Sequence, residues 1–129
     1  MPLLKMMETE DREELADFFG RMEMDAPWEG DGIRRQLTCW KVTHGCEGYI
    51  AGAVALGRSE GNFFLEEIAV DYIYRKMKLG KIMLDKVVRT VRCEGGSVLY
   101  AEVEDGRFFE KNGFVAAREG APANMMLEV

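Results

Sequence analysis

One stretch constrains the fold more than any other. Glu66-Glu67-Ile68-Ala69-Val70 reads as the end of an apolar strand, Asp71 to Lys78 as a tight basic turn, and the run from Leu79 as the helix that turn opens. Leu79, Met83, Val87 and Val91 recur at intervals of four, Ile82, Leu84 and Val88 broaden the stripe, and Gly95-Gly96 stops it. Phe63 to Val70 before the turn and Ser97 to Val103 after the helix both read as strands, which predicts a parallel crossover. The first N–H groups of a helix have no internal partner and sit at its positive dipole end, so a strand-turn-helix of this kind suits a diphosphate. Arg75, Lys76, Lys78 and Lys81 add positive charge at the same point of a chain whose formal net charge is −6.

The remaining elements follow from patterning. Leu3 to Met7 suits a first strand; Thr9 is the expected N-cap of a helix whose Leu15, Phe18, Phe19 and Met22 fall on one face before the Asp25-Ala26-Pro27 break. Trp28 to Arg35 carries Gly30 and Gly32 among mixed charges and suits a surface loop or short helix over a site. Leu37 to Thr43 and Tyr49 to Leu56 read as a hairpin about His44 to Gly48. Gly106 to Asn112 suits a short helix, with Phe114 to Arg118 and Met125 to Val129 as a closing strand pair.

Composition excludes several classes. At 129 residues and 47% hydrophobic, the chain is long enough for one core, so 1–129 is expected to be a single domain. No apolar run approaches the ~18 to 20 residues that cross a bilayer, and Met1 to Glu10 lacks the basic-then-apolar order of a secretion signal, so a cytoplasmic protein with no membrane partner is expected. Cys39, Cys46 and Cys93 are odd in number and match no disulfide framework; with His44 they match no structural zinc spacing, so free thiols and no metal are expected. The acids of Glu8 to Glu14, Glu23 to Asp31 and Glu102 to Asp105 disfavour nucleic acid and would steer a cationic substrate.

Val70 to Gly80, with Arg75-x-x-Lys78-x-Gly80, resembles the coenzyme A signature of the GNAT (N-acetyltransferase) superfamily, R/Q-x-x-G-x-G/A after a strand ending apolar-Ala-Val. Gly106-Arg107-Phe108-Phe109-Glu110-Lys111-Asn112-Gly113-Phe114 resembles its second signature, G-R-x-x-Y-E-x-x-G-F. The resemblance implies an α/β (α+β) fold: a mixed, mostly antiparallel six- or seven-stranded sheet with a central splay, flanked by three to four helices. It also implies acetyl-CoA as co-substrate. The pantetheine arm would bond to the backbone of Ile68, Ala69 and Val70, and the pyrophosphate would lie over Arg75, Lys76, Met77, Lys78, Leu79, Gly80 and Lys81.

The resemblance further implies transfer of an acetyl group to a primary amine by direct attack, with an oxyanion contact from the strand backbone near Ile68 to Val70. Glu66, four residues before Val70 and expected on the same strand face, is the first choice for the base; Glu102 on the next strand is the second, and Glu67 is expected on the opposite face. Lys78 stands where the signature most often has Gly; the coenzyme contact survives there if its φ stays in the helical region. Phe109 stands where the family's thiolate-protonating Tyr is found, beside the coenzyme, so the alternative reading is an acyl-CoA-binding or sensing module without turnover. An exposed final strand is a candidate for pairing across a homodimer.

Overall fold

Ser59 and Asn62 face each other across a two-residue turn, Glu60-Gly61, in which both residues take positive φ (51° and 81°). Primed hairpin turns require that handedness, and it sets the register of the two long strands that the turn joins in the middle of the sheet. The computed structural model describes residues 3–28 and 36–129. Within them run β1 (Leu4–Thr9), α1 (Arg12–Arg21), β2 (Gln36–His44), β3 (Tyr49–Ser59), β4 (Asn62–Val70), a 3-10 helix (Tyr72–Met77), α2 (Leu79–Cys93), β5 (Val98–Ala101), α3 (Arg107–Lys111), β6 (Val115–Ala116) and β7 (Met125–Glu128). Residues 29–35 of the expected covering loop lie outside the described residues; Trp28, at its start, packs edge-on against Phe19.

The strands form one seven-stranded sheet in the order β1-β2-β3-β4-β5-β7-β6, antiparallel except where β4 and β5 run parallel across the α2 crossover. This is the α+β architecture expected from the sequence. Side chains of β3 alternate between the two faces. Val54 and Leu56 join Met83, Leu84, Val87 and Val91 of α2 on one face; Ala53 and Ala55 join Leu15, Phe18 and Phe19 of α1 on the other. The small residues under α1 let its two phenylalanine rings approach the sheet, and burial of each large core side chain contributes about 1.5–3 kcal/mol.

Two expectations are corrected at the edges of elements. Thr9 does not cap α1: β1 pairs as far as Thr9 with Cys39, so the helix starts later, with Asp11 accepting from the Glu14 amide at 3.0 Å. Thr9 instead accepts from the Asp11 amide at 3.2 Å. The final strand is not the edge of the sheet: β7 lies between β5 and the two-residue β6, which pairs with its Met125 and Met126.

Candidate active site

β4 and β5 pair at only two positions, Phe63 with Leu99 and Phe64 with Tyr100, and then part. Both strands have local reasons to do so. On β4 the register against β3 slips, Ala55 facing Glu67 while Leu56 faces Leu65, so Glu66 is the extra residue of a bulge. Beyond β5, the Asn124 side chain takes over the role of a neighbouring strand: its Oδ1 accepts from the Val103 amide at 2.9 Å and its Nδ2 donates to the Val103 carbonyl at 2.6 Å. The Asp71 amide donates to Ala51 of β3 at 2.8 Å. By alternation the backbone groups of Glu67 and Ala69 also face β3, and those of Ile68 and Val70 face the opening.

A cleft of about 700 Å³ occupies this opening, walled by Met22, Met24, Ile68, Ala69, Val70, Phe108 and Phe109, with Arg75, Lys78, Gly80, Lys81, Lys111 and Asn112 at its cationic end. The first amide of α2 with a backbone acceptor in the helix is that of Ile82, which donates to Lys78, so the amides of Leu79, Gly80 and Lys81 remain for a ligand. Gly80 is required for packing: a Cβ there would lie 2.9 Å from Cε1 of Phe108. Lys78 corrects the sequence expectation. Its φ is 58°, in the left-handed region rather than the helical one, so the condition under which its own amide would face the phosphates is not met.

Of the other residues expected at the turn, Lys76 and Met77 are exposed on the 3-10 helix, outside the cleft lining, and the Leu79 side chain is buried in the core, leaving it only a backbone role. Tyr72 is 80% exposed, with the Arg75 guanidinium 5.4 Å from its ring centre. Asp71 fixes the turn from behind. Only 4% exposed, it accepts from Arg21 Nη1 at 2.9 Å, from the Tyr49 hydroxyl at 2.6 Å and from the Ile73 amide at 3.1 Å. Burial pulls its carboxyl upward, but the Tyr49, Ile73 and Arg21 bonds outweigh that and hold it below the ordinary aspartate value.

A second cavity of about 310 Å³ adjoins the cleft and shares Met24, Ile68 and Phe109 with it. Glu66, Glu67, Glu102, Glu104 and Asp105 line it, with Leu65 and Val103. The bulge changes one of the two expected faces, that of Glu66, which does not share the face of Val70. Ile68 and Val70 pack towards the α2 core, whereas Glu66 lies over Gly57 on the α1 side of β3, and Glu67, opposite Ala55, faces that same side. Glu67, on the face opposite Val70 as alternation expects, lines the cavity beside Glu66. Burial first, then the Glu66 and Asp25 charges, push its carboxyl up to about 7. Glu102 accepts from the Asn124 amide at 2.9 Å. Phe109, at the junction of the two cavities, is held edge-on between Phe108 and Phe114 at 5.3 Å each.

Among the described residues no cluster of three or more His, Cys, Asp or Glu is arranged to hold a metal, and no helix is long and apolar enough to cross a membrane. The model of the acetyltransferase (GNAT) family matches residues 4–114. No curated protein matches the sequence. An acetyltransferase of the GNAT family from Staphylococcus aureus Mu50 superposes with a TM-score of 0.77 at 19% identity, over 98% of this chain and 99% of that one. The ribosomal-protein-S18-alanine N-acetyltransferase of Escherichia coli superposes with 0.72 at 20% identity, over 100% of this chain and 94% of the other. A GNAT-family protein from Desulfovibrio desulfuricans gives 0.69 at 22% identity, with 99% of each chain covered. At these identities the structural likeness speaks to the fold alone.

Proposed function

Because this chain belongs to the acetyltransferase (GNAT) family, we propose that 1–129 acts as one domain transferring an acetyl group from acetyl-CoA to a primary amine by direct attack. The observation that carries the reading is the junction at Phe109, where a cationic, amide-lined cleft meets an acid-lined cavity. The residues suit the co-substrate. Three amides at the start of α2, with Arg75, Lys78 and Lys81 around them, fit a pyrophosphate. The backbone of Ile68 and the Val70 amide offer a pantetheine amide a strand edge that β5 does not pair, while the Val70 carbonyl accepts from Arg75 Nε at 3.4 Å.

Glu67 is the proposed base. A carboxyl raised to about 7 by burial and by Glu66 is matched to taking a proton from an ammonium near neutral pH. The proton passes to Glu67, directly or through a water, and the freed nitrogen lone pair attacks the acetyl carbonyl carbon. The amide N–H of Ile68 or Val70 receives the charge that develops on the carbonyl oxygen, the carbon–sulfur bond breaks with the sulfur leaving as thiolate, and the second nitrogen proton, made acidic by the attack, passes to that thiolate or to water. Phe109 has no proton to give, and a thiol of ordinary pKa about 8.5 can leave without one at a cost in rate. Glu66 keeps the Glu67 carboxyl raised, and Glu102 orients the acceptor from the opposite wall.

The three free cysteines, one of them buried, suit a reducing cytoplasm. The test is thiol release from acetyl-CoA with a panel of amines, for wild type and Glu67→Gln. We expect turnover with at least one amine, and a loss of about 10²-fold or more in the variant with acetyl-CoA affinity retained. Saturable coenzyme binding with no turnover of any amine between pH 6 and 9 would favour the sensing module and overturn the enzyme.

A further inference from the structure

The acid-lined cavity holds more carboxylates than removal of one proton needs. Resting on the acetyl-transfer reading, we propose that the cavity selects small amines carrying a second positive charge, with the distal ammonium at Glu102 and Glu104 while the reacting nitrogen lies at Glu67.

The cavity is walled by two kinds of residue. Leu65, Ile68, Val103, Phe109 and Met24 supply apolar surface, and the carboxylates of β4 lie across from those after β5, with no basic residue among the described residues of the lining. A methylene chain with an ammonium at each end matches that division. The carboxylates also differ in what already holds them. Asp105 is taken by Arg107, whose Nη2 and Nε donate to it at 2.6, 3.0 and 3.1 Å. Glu102 accepts one backbone amide, which leaves its charge uncancelled. Neither Glu104 nor Glu67 has a hydrogen bond or ion pair among the described residues. Like charges gathered around one cavity repel, and a cation with two ends relieves that repulsion at both walls. The net charge of −6 draws such a substrate from solution.

Acetylation turns the reacting ammonium into a neutral amide. The product keeps only its distal charge and is held by one wall instead of two, so it leaves more readily than the substrate.

The test compares kcat/KM for butylamine, 1,4-diaminobutane and a triamine at low and high salt, in wild type and Glu104→Gln. We expect the di- and triamine to exceed butylamine by about 10-fold, and the ratio to fall about 5-fold in the variant and in high salt. A wild-type ratio near one overturns the proposal, as does a ratio that Glu104→Gln leaves unchanged. If no amine is turned over, the acetyl-transfer reading fails by itself. Calorimetric titration of the CoA-saturated protein with the triamine then reads the cavity: binding weakened by Glu104→Gln sustains the site, and absent or unaltered binding overturns it.

Discussion

The carboxylate of Glu66 lies over Gly57 of the neighbouring strand, with Oε1 2.5 Å from where a side-chain carbon at that glycine would stand. The bulge sends Glu66 to this side, and the bare backbone of Gly57 gives it room, so two consecutive glutamates face one side of a strand. The Glu66 charge then raises the carboxyl of Glu67.

Removing that charge lowers the Glu67 pKa, since a like charge disfavours ionisation. Glu66→Gln should shift the acidic limb of the kcat/KM profile from about 7 to lower pH, by roughly half a unit to one unit. A pH series of wild type and variant reads the shift directly; an unmoved limb would separate Glu67 from the base role.

Lys78 bears the cost of a left-handed backbone on a residue with a Cβ. Lys78→Gly relieves about 1–2 kcal/mol of that strain and gives back about 0.5–1 kcal/mol in chain entropy. A net gain of about 0.5–1 kcal/mol, or a Tm rise of about 2–4 °C, is the expected outcome in thermal melts. Lys78→Ala keeps the Cβ and should gain nothing in stability. Both variants lose a cation at the turn, and the Ala variant should bind acetyl-CoA about 3- to 10-fold more weakly, with a shallower salt dependence.

Asp71 links stability to pH. Its folded-state value is depressed, so its contribution is complete above the ordinary aspartate value of about 3.9 and is lost as pH falls through the folded value below that. Asp71→Asn should cost about 2 kcal/mol at pH 7, where Arg21 loses its buried partner. The variant should also show a smaller drop in stability between pH 7 and pH 3 than wild type. Urea unfolding at the two pH values measures both effects.

Phe109 sits at the junction where the departing sulfur would lie, packed on two rings and without a hydroxyl. Phe109→Tyr supplies an acid at that place, and general-acid help is worth about 10² to 10⁴ where leaving-group departure limits the rate. A kcat rise of at least about 10-fold with KM for acetyl-CoA little changed is expected; an unchanged kcat would mean that sulfur departure is not rate-limiting.

Much of this was legible in the sequence, because hydrophobic period and turn residues report local structure. The four-residue spacing from Leu79 to Val91 gave α2, Gly95-Gly96 its end, and the apolar run before Asp71 the strand that leads into it. What stayed hidden depends on partners far along the chain. The bulge at Glu66 is a mismatch between two strands, and period two within β4 carries no trace of it. The left-handed Lys78 joins helices whose angle is set by packing on the sheet, and lysine does not announce positive φ as glycine does. The interior position of β7 is a matter of strand order, which no single strand's pattern encodes.

Two rungs are the whole ladder between β4 and β5. Mechanically the sheet is two plates, β1 to β4 and β5 with β7 and β6, riveted at one end and braced from one face by α2. Coenzyme lying in the gap would serve as the missing rungs, its amides bonded to one plate and its length wedged against the other. The spacing of the plates also sets the distance between Glu67 on one and Glu102 and Glu104 on the other. Seating the coenzyme and gauging the acceptor would then be a single mechanical act.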